Sequence, residues 1–347
     1  MSAVREEVIA SFRTQAVWCR RLGSPFTAGL LECAAAELSD GGGLAGLLGS
    51  WPGDPVADAL PLRLAGALHA LVLGGADPAL AEVYPPRTPD PEAVWAVAAA
   101  AIAAHEPFIR EFLRSPPQTN EVRRSGVLLG GFLEVAQRAS LPLRLLEIGA
   151  SGGLNLIWDH YRYRFGARGW GDPAGAVEIA PEWQGGWPPL DVPARVAERA
   201  ACDTNPLDLD RADHRLRLRS YVWADQRERL ALLDGAMAAA RQAGVRVDRA
   251  DAGDWLSARL AEPASGRASV VYHSVVWQYL PAAVQDRIAE VVRAAGQRAG
   301  DDAPLAWLRF EPEPGGAFEL RLTYWPGGYD RVLAHAQPHG ASVNWLA

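Results

Sequence analysis

The chain has no lysine: all 34 of its basic residues are arginine. This absence excludes a Walker-type phosphate loop, which needs a lysine, and any enzyme that forms a Schiff base on lysine. Only three cysteines are present, Cys19, Cys33 and Cys202, and they show no spacing typical of a zinc site. We therefore predict no metal site.

With no apolar leader near the amino terminus, we also predict a cytoplasmic location.

Long apolar runs and blocks of basic residues are also missing. The chain contains no stretch of about 20 uncharged apolar residues, so no membrane span is predicted. The net charge is −7, and no cluster of arginines indicates a nucleic-acid surface. With 347 residues, 49% of them hydrophobic, the chain can bury a large core. These features favour a globular protein with a small-molecule substrate and no nucleic-acid or membrane partner, and they leave the oligomeric state open.

The strongest local pattern lies at residues 143–157. The apolar run Leu143–Ile148 contains Glu147 and leads into Gly149-Ala150-Ser151-Gly152-Gly153. This order predicts a buried parallel strand, a tight loop and the start of a helix. Such a loop leaves backbone N–H groups free at the carboxyl edge of a sheet, where small residues let a ligand approach.

The glycine spacing narrows the choice of ligand. A dinucleotide fingerprint would need glycine at 151 and glycine or alanine at 154, but Ser151 and Leu154 stand there. The loop instead resembles the acid-x-G-x-G-x-G pattern of class I S-adenosylmethionine methyltransferases. Glu147, Gly149 and Gly153 match that pattern, and Ser151 departs from it. A purely structural strand-to-helix turn is the alternative.

Element patterns divide the chain into two regions. Residues 1–140 are mainly helical by pattern, which predicts an α-helical N-terminal cap or substrate domain. Residues 141–347 alternate strands and helices, which predicts a mostly parallel, Rossmann-like sheet with helices on both faces. Residues 161–165 alternate with period two, which predicts a hairpin inserted into this α/β domain near residues 161–190.

Acidic and polar residues follow successive predicted strands. Because parallel strands end at one edge of a sheet, these side chains should converge there, where carboxylates can accept ribose hydroxyls and an adenine amino group. The alternatives are an Asx turn at Asp203, with Asp172 as the competing ribose ligand, and a helix cap at Asp251. The predicted cofactor-binding set is Glu147, Gly149, Ser151, Gly153, Asp203, Asp251 and Ser274.

A polar segment precedes the central strand. Its residues Gln118, Asn120 and Arg124 are predicted substrate contacts, and a helix cap is the structural alternative. Methyl transfer depends mainly on positioning, and a base is needed only if the acceptor must lose a proton. His273, on the fourth strand, and Glu121 are the candidate bases, although His273 also fits a core histidine.

Five motifs, in one order along the chain, resemble the signatures of a bacterial family known as domain of unknown function 2332. They are Pro117–Val122, Leu146–Leu156, Trp170–Pro173, Asp203–Asp208 and Val271–Ser274. The resemblance covers almost the whole chain and implies no established activity. The core of the family in turn resembles class I methyltransferases.

These patterns lead us to expect a methyltransferase that uses S-adenosyl-L-methionine as cofactor and acts on an unidentified small molecule. The first alternative is a non-catalytic, methyltransferase-like protein that binds a metabolite or another protein. A weaker one is a serine hydrolase, because Gly149-x-Ser151-x-Gly153 fits a nucleophile elbow. Against it, Asp251 and His273 lie too close in sequence for the usual hydrolase triad.

Overall fold

The computed structural model describes residues 4–87, 89–313 and 315–347. By its internal contacts the chain forms two compact units, Met1–Thr119 with Arg211–Asp234 and Asn120–Asp210 with Gly235–Ala347. The first unit therefore takes a second segment from the middle of the chain. Residues 120–140, which the sequence analysis placed in the helical domain, belong to the second unit.

Twelve α-helices lie in the described residues. They are α1 (Glu6–Arg21), α2 (Pro25–Asp40), α3 (Gly43–Leu48), α4 (Leu60–Leu73), α5 (Pro78–Val83), α6 (Pro91–Ala104), α7 (Glu106–Leu113), α8 (Arg124–Ala139), α9 (Ala212–Ser220), α10 (Arg227–Gln242), α11 (Ala252–Arg259) and α12 (Ala282–Gln297). Helices α1 to α7 and α9 form the first unit, and α10 contributes residues to both units.

The first unit is helical and is built around α4. Proline at the first or second position begins α2, α4, α5, α6 and α7, where its missing N–H leaves no helical bond unmade. Helix α4 is apolar on most sides because it packs against α1, α7 and α9. Tyr221, which follows α9, lies buried in the same core. The segment 211–234 is thus part of this core.

Twelve strands lie in the described part of the second unit. They are β1 (Leu143–Ile148), β2 (Arg162–Phe165), β3 (Arg168–Trp170), β4 (Glu178–Ile179), β5 (Glu182–Gly185), β6 (Val196–Asp203), β7 (Asp248–Arg249), β8 (Ala268–Ser274), β9 (Leu305–Pro312), β10 (Phe318–Trp325), β11 (Tyr329–Ala336) and β12 (Ser342–Trp345). Strands β2 and β3 pair as an antiparallel hairpin, and β4 joins them in a small separate sheet.

The other nine strands form one sheet in the order β5-β12-β11-β10-β9-β8-β1-β6-β7. Strands β7, β6, β1, β8 and β9 run parallel, and β9 to β12 form an antiparallel meander. The prediction of a mixed α/β fold with a mostly parallel central sheet is confirmed. From β1 the chain continues to β6 and β7 on one side, then returns to β8 on the other. Ligands of open α/β sheets bind at such a reversal of strand order.

Helices cover both faces of this sheet. Val271 and Trp307 pack in one core with α11 and α12. Tyr272, the next residue along β8, packs against Phe132 of α8, with 5.0 Å between ring centroids. Because side chains of a strand alternate between faces, odd-numbered residues of β8 and β9 face α12 and even-numbered ones face α8.

Within the described part of the chain, no single helix is both long enough and apolar enough to cross a membrane. By length and composition only, the pair α6 and α7 passes that test together, with a bend of 90° between them.

Candidate functional site

The site predicted from the sequence is the loop between β1 and the 3₁₀ helix Leu154–His160. Alternate residues of this loop have left-handed backbone angles, with φ of 65° at Gly149, 54° at Ser151 and 73° at Gly153. A Cβ added at Gly149 would lie 2.6 Å from the side chain of Val276, and one at Gly153 would lie 2.6 Å from that of Val245. Glycine is therefore required at both positions by backbone angle and by space, whereas Ser151 carries a conformational cost of about 1 kcal/mol.

Glu147 lies buried beneath this loop. The hydroxyl of Tyr272 donates to its Oε2 at 3.1 Å and lies 3.4 Å from the carbonyl oxygen of Asn155. Burial raises the pKa of Glu147 to about 8, although the bond from Tyr272 acts in the opposite direction. At neutral pH this carboxyl is therefore mostly protonated.

The two acids at the ends of β6 and β7 lie at the predicted edge, and both bind backbone N–H groups. Asp203 accepts from Ser151 N–H through Oδ2 and from Asn205 N–H through Oδ1, each at 2.8 Å. It therefore forms the Asx turn and also holds the glycine loop. Asp251 accepts from Gly253 N–H at 2.9 Å and caps α11 with the same oxygen. Each acid thus fills the structural role that was its alternative.

Asp172, the competing ribose ligand, lies outside this group. Its Oδ1 accepts from Ala174 N–H at 2.8 Å in an exposed turn after β3. That contact is local to the small sheet, so the structure does not bring Asp172 to the glycine loop through any described bond.

The segment that begins α8 fastens the loop to the neighbouring strands. Asn120 Oδ1 accepts from Leu154 N–H at 2.9 Å, at the start of the 3₁₀ helix. Arg124 donates to the carbonyl oxygens of Ser274 at 3.1 Å and Pro338 at 3.0 Å. These predicted substrate residues are both buried and both bind protein backbone.

Two further predicted residues lie near this segment in the chain. Glu121 is buried, and its Oε1 accepts from Arg123 N–H at 3.2 Å. Gln118 belongs to the first unit. Ser274 is buried at the end of β8, where its carbonyl oxygen is the acceptor for Arg124.

His273 is 1% exposed and faces the α12 side of the sheet. Its Nδ1 lies 2.6 Å from Glu311 Oε1, and the indole N–H of Trp307 donates to its Nε2 at 3.3 Å. Because Nε2 accepts, Nδ1 carries the proton and donates to Glu311, so the ring is the neutral tautomer. Glu311 also accepts from the N–H groups of Val276 and Trp277. His273 thus orients the acid that holds the turn covering Gly149.

The profile of a bacterial family described as "Uncharacterized protein conserved in bacteria (DUF2332)" matches residues 10–345. The chain belongs to this family. The resemblance read from the five motifs is therefore confirmed. No curated protein and no solved structure matches the chain.

One polar group of the loop remains without a protein partner. Ser151 is 6% exposed, and its Oγ makes no hydrogen bond to any residue that the structure describes. A buried hydroxyl without a partner costs about 1–3 kcal/mol. A bound water or ligand atom would remove that cost, and Ser151 is the residue at which this chain departs from the methyltransferase loop.

Sequence reasoning missed Glu311 and Trp307 as partners of His273. Glu311 is an acid at a strand end, which is the signal that led us to Asp203 and Asp251. Period-two alternation would also have placed Glu311 and Trp307 on one face of β9. What the pattern could not supply is the neighbour of β9, since His273 comes from a different strand 34 and 38 residues earlier.

Proposed function

We propose that this protein binds S-adenosylmethionine at the loop 149–153 and transfers its methyl group to a small molecule. In chain order the five parallel strands occupy the sheet as 3-2-1-4-5, the order of Rossmann-type sheets, whose ligands lie beside the first strand. The observation that carries the proposal is the glycine loop at this reversal point, with the buried, unpartnered hydroxyl of Ser151 in it.

The residues at the loop fit such a ligand in two respects. The Ser151 hydroxyl can donate to a carboxylate or hydroxyl of the ligand, since it is engaged by no described residue. Asp203 and Asp251 lie at or just after the ends of neighbouring strands. Each Asp203 oxygen accepts one described backbone bond, and both bonds to Asp251 go to its Oδ1, so both carboxylates keep capacity for a ribose hydroxyl or an amino group. One observation does not favour the fit. The side chain of Val276 occupies the space beside Gly149, so the ligand cannot approach the backbone closely there.

We propose that catalysis here is positioning rather than proton abstraction. The cofactor would supply an electrophilic methyl group on a sulfonium. His273 keeps its proton on Nδ1 toward Glu311 and accepts from Trp307 at Nε2, so neither nitrogen is open. A rigid loop that aligns the acceptor with the methyl group would accelerate methyl transfer by orienting the two reactants.

The proposal is tested by titrating the folded protein calorimetrically with S-adenosylhomocysteine and S-adenosylmethionine. We expect one site per chain and about tenfold weaker binding in Ser151→Ala, which removes one hydrogen bond. Ser140→Ala is the matched control, because Ser140 also has a left-handed backbone (φ 50°) but ends α8. No heat with either ligand at millimolar concentration, in protein shown to be folded, rejects the proposal.

The serine hydrolase alternative has one supporting feature. Ser151 lies on a strained turn between a strand and a helix, as a nucleophile does in an elbow. Its Oγ, however, has no base among the described residues, and both nitrogens of His273 are engaged on the α12 side. Reaction of Ser151 with a fluorophosphonate probe would favour this function over methyl transfer.

A further inference from the structure

A cavity of about 310 Å³ lies on the α12 face of the sheet, on the side opposite Glu147 and Tyr272. Helix α12 forms one wall and strands β9 and β10 form another. Trp277 and Trp307 provide its aromatic surface, and His273 lies at its base. Its charged lining residues are Asp286, Arg293, Arg309, Glu311, Glu319 and Arg321.

Two arginines face each other across the β9–β10 pair in this cavity. Arg309 and Arg321 are directly opposite in the register. Like charges in that position destabilise a sheet unless they are compensated. Arg321 is compensated, because it donates to Glu319 at 2.8 Å and to Asp330 at 3.2 Å. Asp330 also forms an ion pair with Arg309, but the 3.8 Å between the two groups is too long for a hydrogen bond.

The guanidinium group of Arg309 can therefore donate further hydrogen bonds to a ligand. One guanidinium nitrogen donates to Thr323 Oγ1 at 2.8 Å, and the group lies over the ring of Trp307 at 4.3 Å. Its Nε is buried and makes no hydrogen bond to any described residue. Desolvation lowers the pKa of this arginine, so the folded protein carries its charge at a cost that an anion in the cavity would reduce.

Arg293 is the second arginine in the cavity that could pair with an anionic ligand. It lines the cavity from α12 and makes no ion pair or side-chain hydrogen bond within the described parts of the chain. Glu311 is already bound by His273 and by the backbone N–H groups of Val276 and Trp277, so it is not available to pair with Arg293. The cavity thus contains one buried arginine with a nitrogen that makes no described hydrogen bond, Arg309, and one exposed arginine, Arg293, that can pair with a bound anion.

The charge of the cavity also limits what can bind. Three acids line it, Asp286, Glu311 and Glu319. A polyanion such as a nucleotide triphosphate would be repelled by them in a partly desolvated space. A single carboxylate matches two arginines, which bind carboxylates with directional donors. The indole of Trp277 favours a flat apolar group next to that carboxylate.

We propose that this cavity binds a small carboxylate with a flat apolar body, held by Arg293 and Arg309 beside Trp277. The site lies across the sheet from Glu147, and its proposed ligand contacts, Arg293, Arg309 and Trp277, are not in the predicted cofactor-binding set. It stands whether or not the protein binds S-adenosylmethionine.

Ligand-detected NMR titration with phenylacetate tests this proposal, with phenylacetamide as the uncharged match. We expect phenylacetate to bind, phenylacetamide to bind at least tenfold more weakly, and Arg293→Gln to weaken phenylacetate about tenfold. Arg287→Gln is the control, because Arg287 lies on the same helix but pairs with Asp254 outside the cavity. Arg293 is exposed, so its substitution leaves folding intact.

Any one of the following results would overturn the proposal. The first is equal binding of phenylacetate and phenylacetamide, which would mean that the charge plays no part. The second is the same affinity in Arg293→Gln and the native protein, or no phenylacetate binding at all. The third is binding of inorganic phosphate that depends on Arg293 while phenylacetate fails to compete, which would assign the arginines to a different anion.

Discussion

At the residue scale, burial sets the chemistry of Glu147. Its side chain is buried, and Tyr272 is its hydrogen-bond partner among the described residues, so its charged form is poorly stabilised. The pKa rises from an ordinary value of 4.5 to about 8. The hydroxyl of Tyr272 donates to Oε2 of this carboxyl at 3.1 Å and favours its charged form, but the effect of burial is larger.

Glu147→Gln tests this raised pKa. The folded state holds the proton more tightly than the unfolded state, so the contribution of Glu147 is fully present below about pH 4.5 and is lost as pH rises through about 8. Glutamine does not titrate. The native protein should therefore lose stability relative to the variant, by up to about 1.4 kcal/mol per pH unit, between those values. Urea unfolding of both proteins at several pH values measures the difference.

Tyr272→Phe provides the matched comparison. The bond from Tyr272 lowers the pKa of Glu147, so its removal should raise that pKa further and extend the sensitive window to higher pH. Parallel stability curves for the native protein and Glu147→Gln, with no pH-dependent gap, would mean that the carboxyl is solvated or compensated and that its pKa is not raised.

At the scale of elements, the start of α11 separates two roles of Asp251. Its side chain caps the helix by accepting from two backbone N–H groups. Asp251→Ala should lower the free energy of unfolding by about 1 kcal/mol, whereas Asp251→Asn should preserve it, because asparagine caps equally well. Chemical denaturation of the two variants gives both values.

The same pair of variants addresses the proposed adenine contact. A residue that only caps would leave S-adenosylhomocysteine affinity unchanged in Asp251→Asn. A loss of affinity there, at unchanged stability, would show that the charge of Asp251 acts on the ligand. Equal stability of Asp251→Ala and the native protein would contradict the cap itself.

Some elements could be predicted from the sequence, and others could not. The strand, loop and helix at 143–160 were predictable because each is specified by neighbouring residues. Asp203 and Asp251 were predicted to follow strands, and they lie at or just after the ends of β6 and β7, but their competing local roles could not be separated from the sequence. An Asx turn or a helix cap needs only a backbone N–H two or three residues away. This local partner is available to almost any Asp, whether or not the side chain also binds a ligand. The partner of His273 depends on which strand lies beside β8, and no local pattern contains that pairing.

At the scale of the whole molecule, the segment 211–234 joins a core that the sequence did not assign to it. Tyr221 packs against Phe112 with 5.6 Å between ring centroids, and His69 Nδ1 lies 3.2 Å from the carbonyl oxygen of Ser220. A helical pattern specifies a helix and its apolar face, but not the core that receives that face. The sequence division at residue 140 therefore followed the change in pattern, whereas the contacts of the chain follow packing.

This difference predicts the behaviour of a fragment. Residues 1–140 lack α9, which packs against α4, and they retain α8, whose buried face packs against the central sheet. Phe132 and Leu133, both fully buried in the whole chain, would then be exposed. We expect this fragment to bind a hydrophobic dye and to unfold without a cooperative transition, as followed by circular dichroism.

The control is a fragment that restores the first unit by joining residues 1–119 to 211–234 through a flexible linker. It carries both segments of one core and omits α8, so it should unfold cooperatively and bind little dye. Cooperative unfolding of 1–140 at the temperature of the joined fragment would show that α9 and Tyr221 add little to this core. The boundary read from the sequence would then describe the folding unit better than the contacts do.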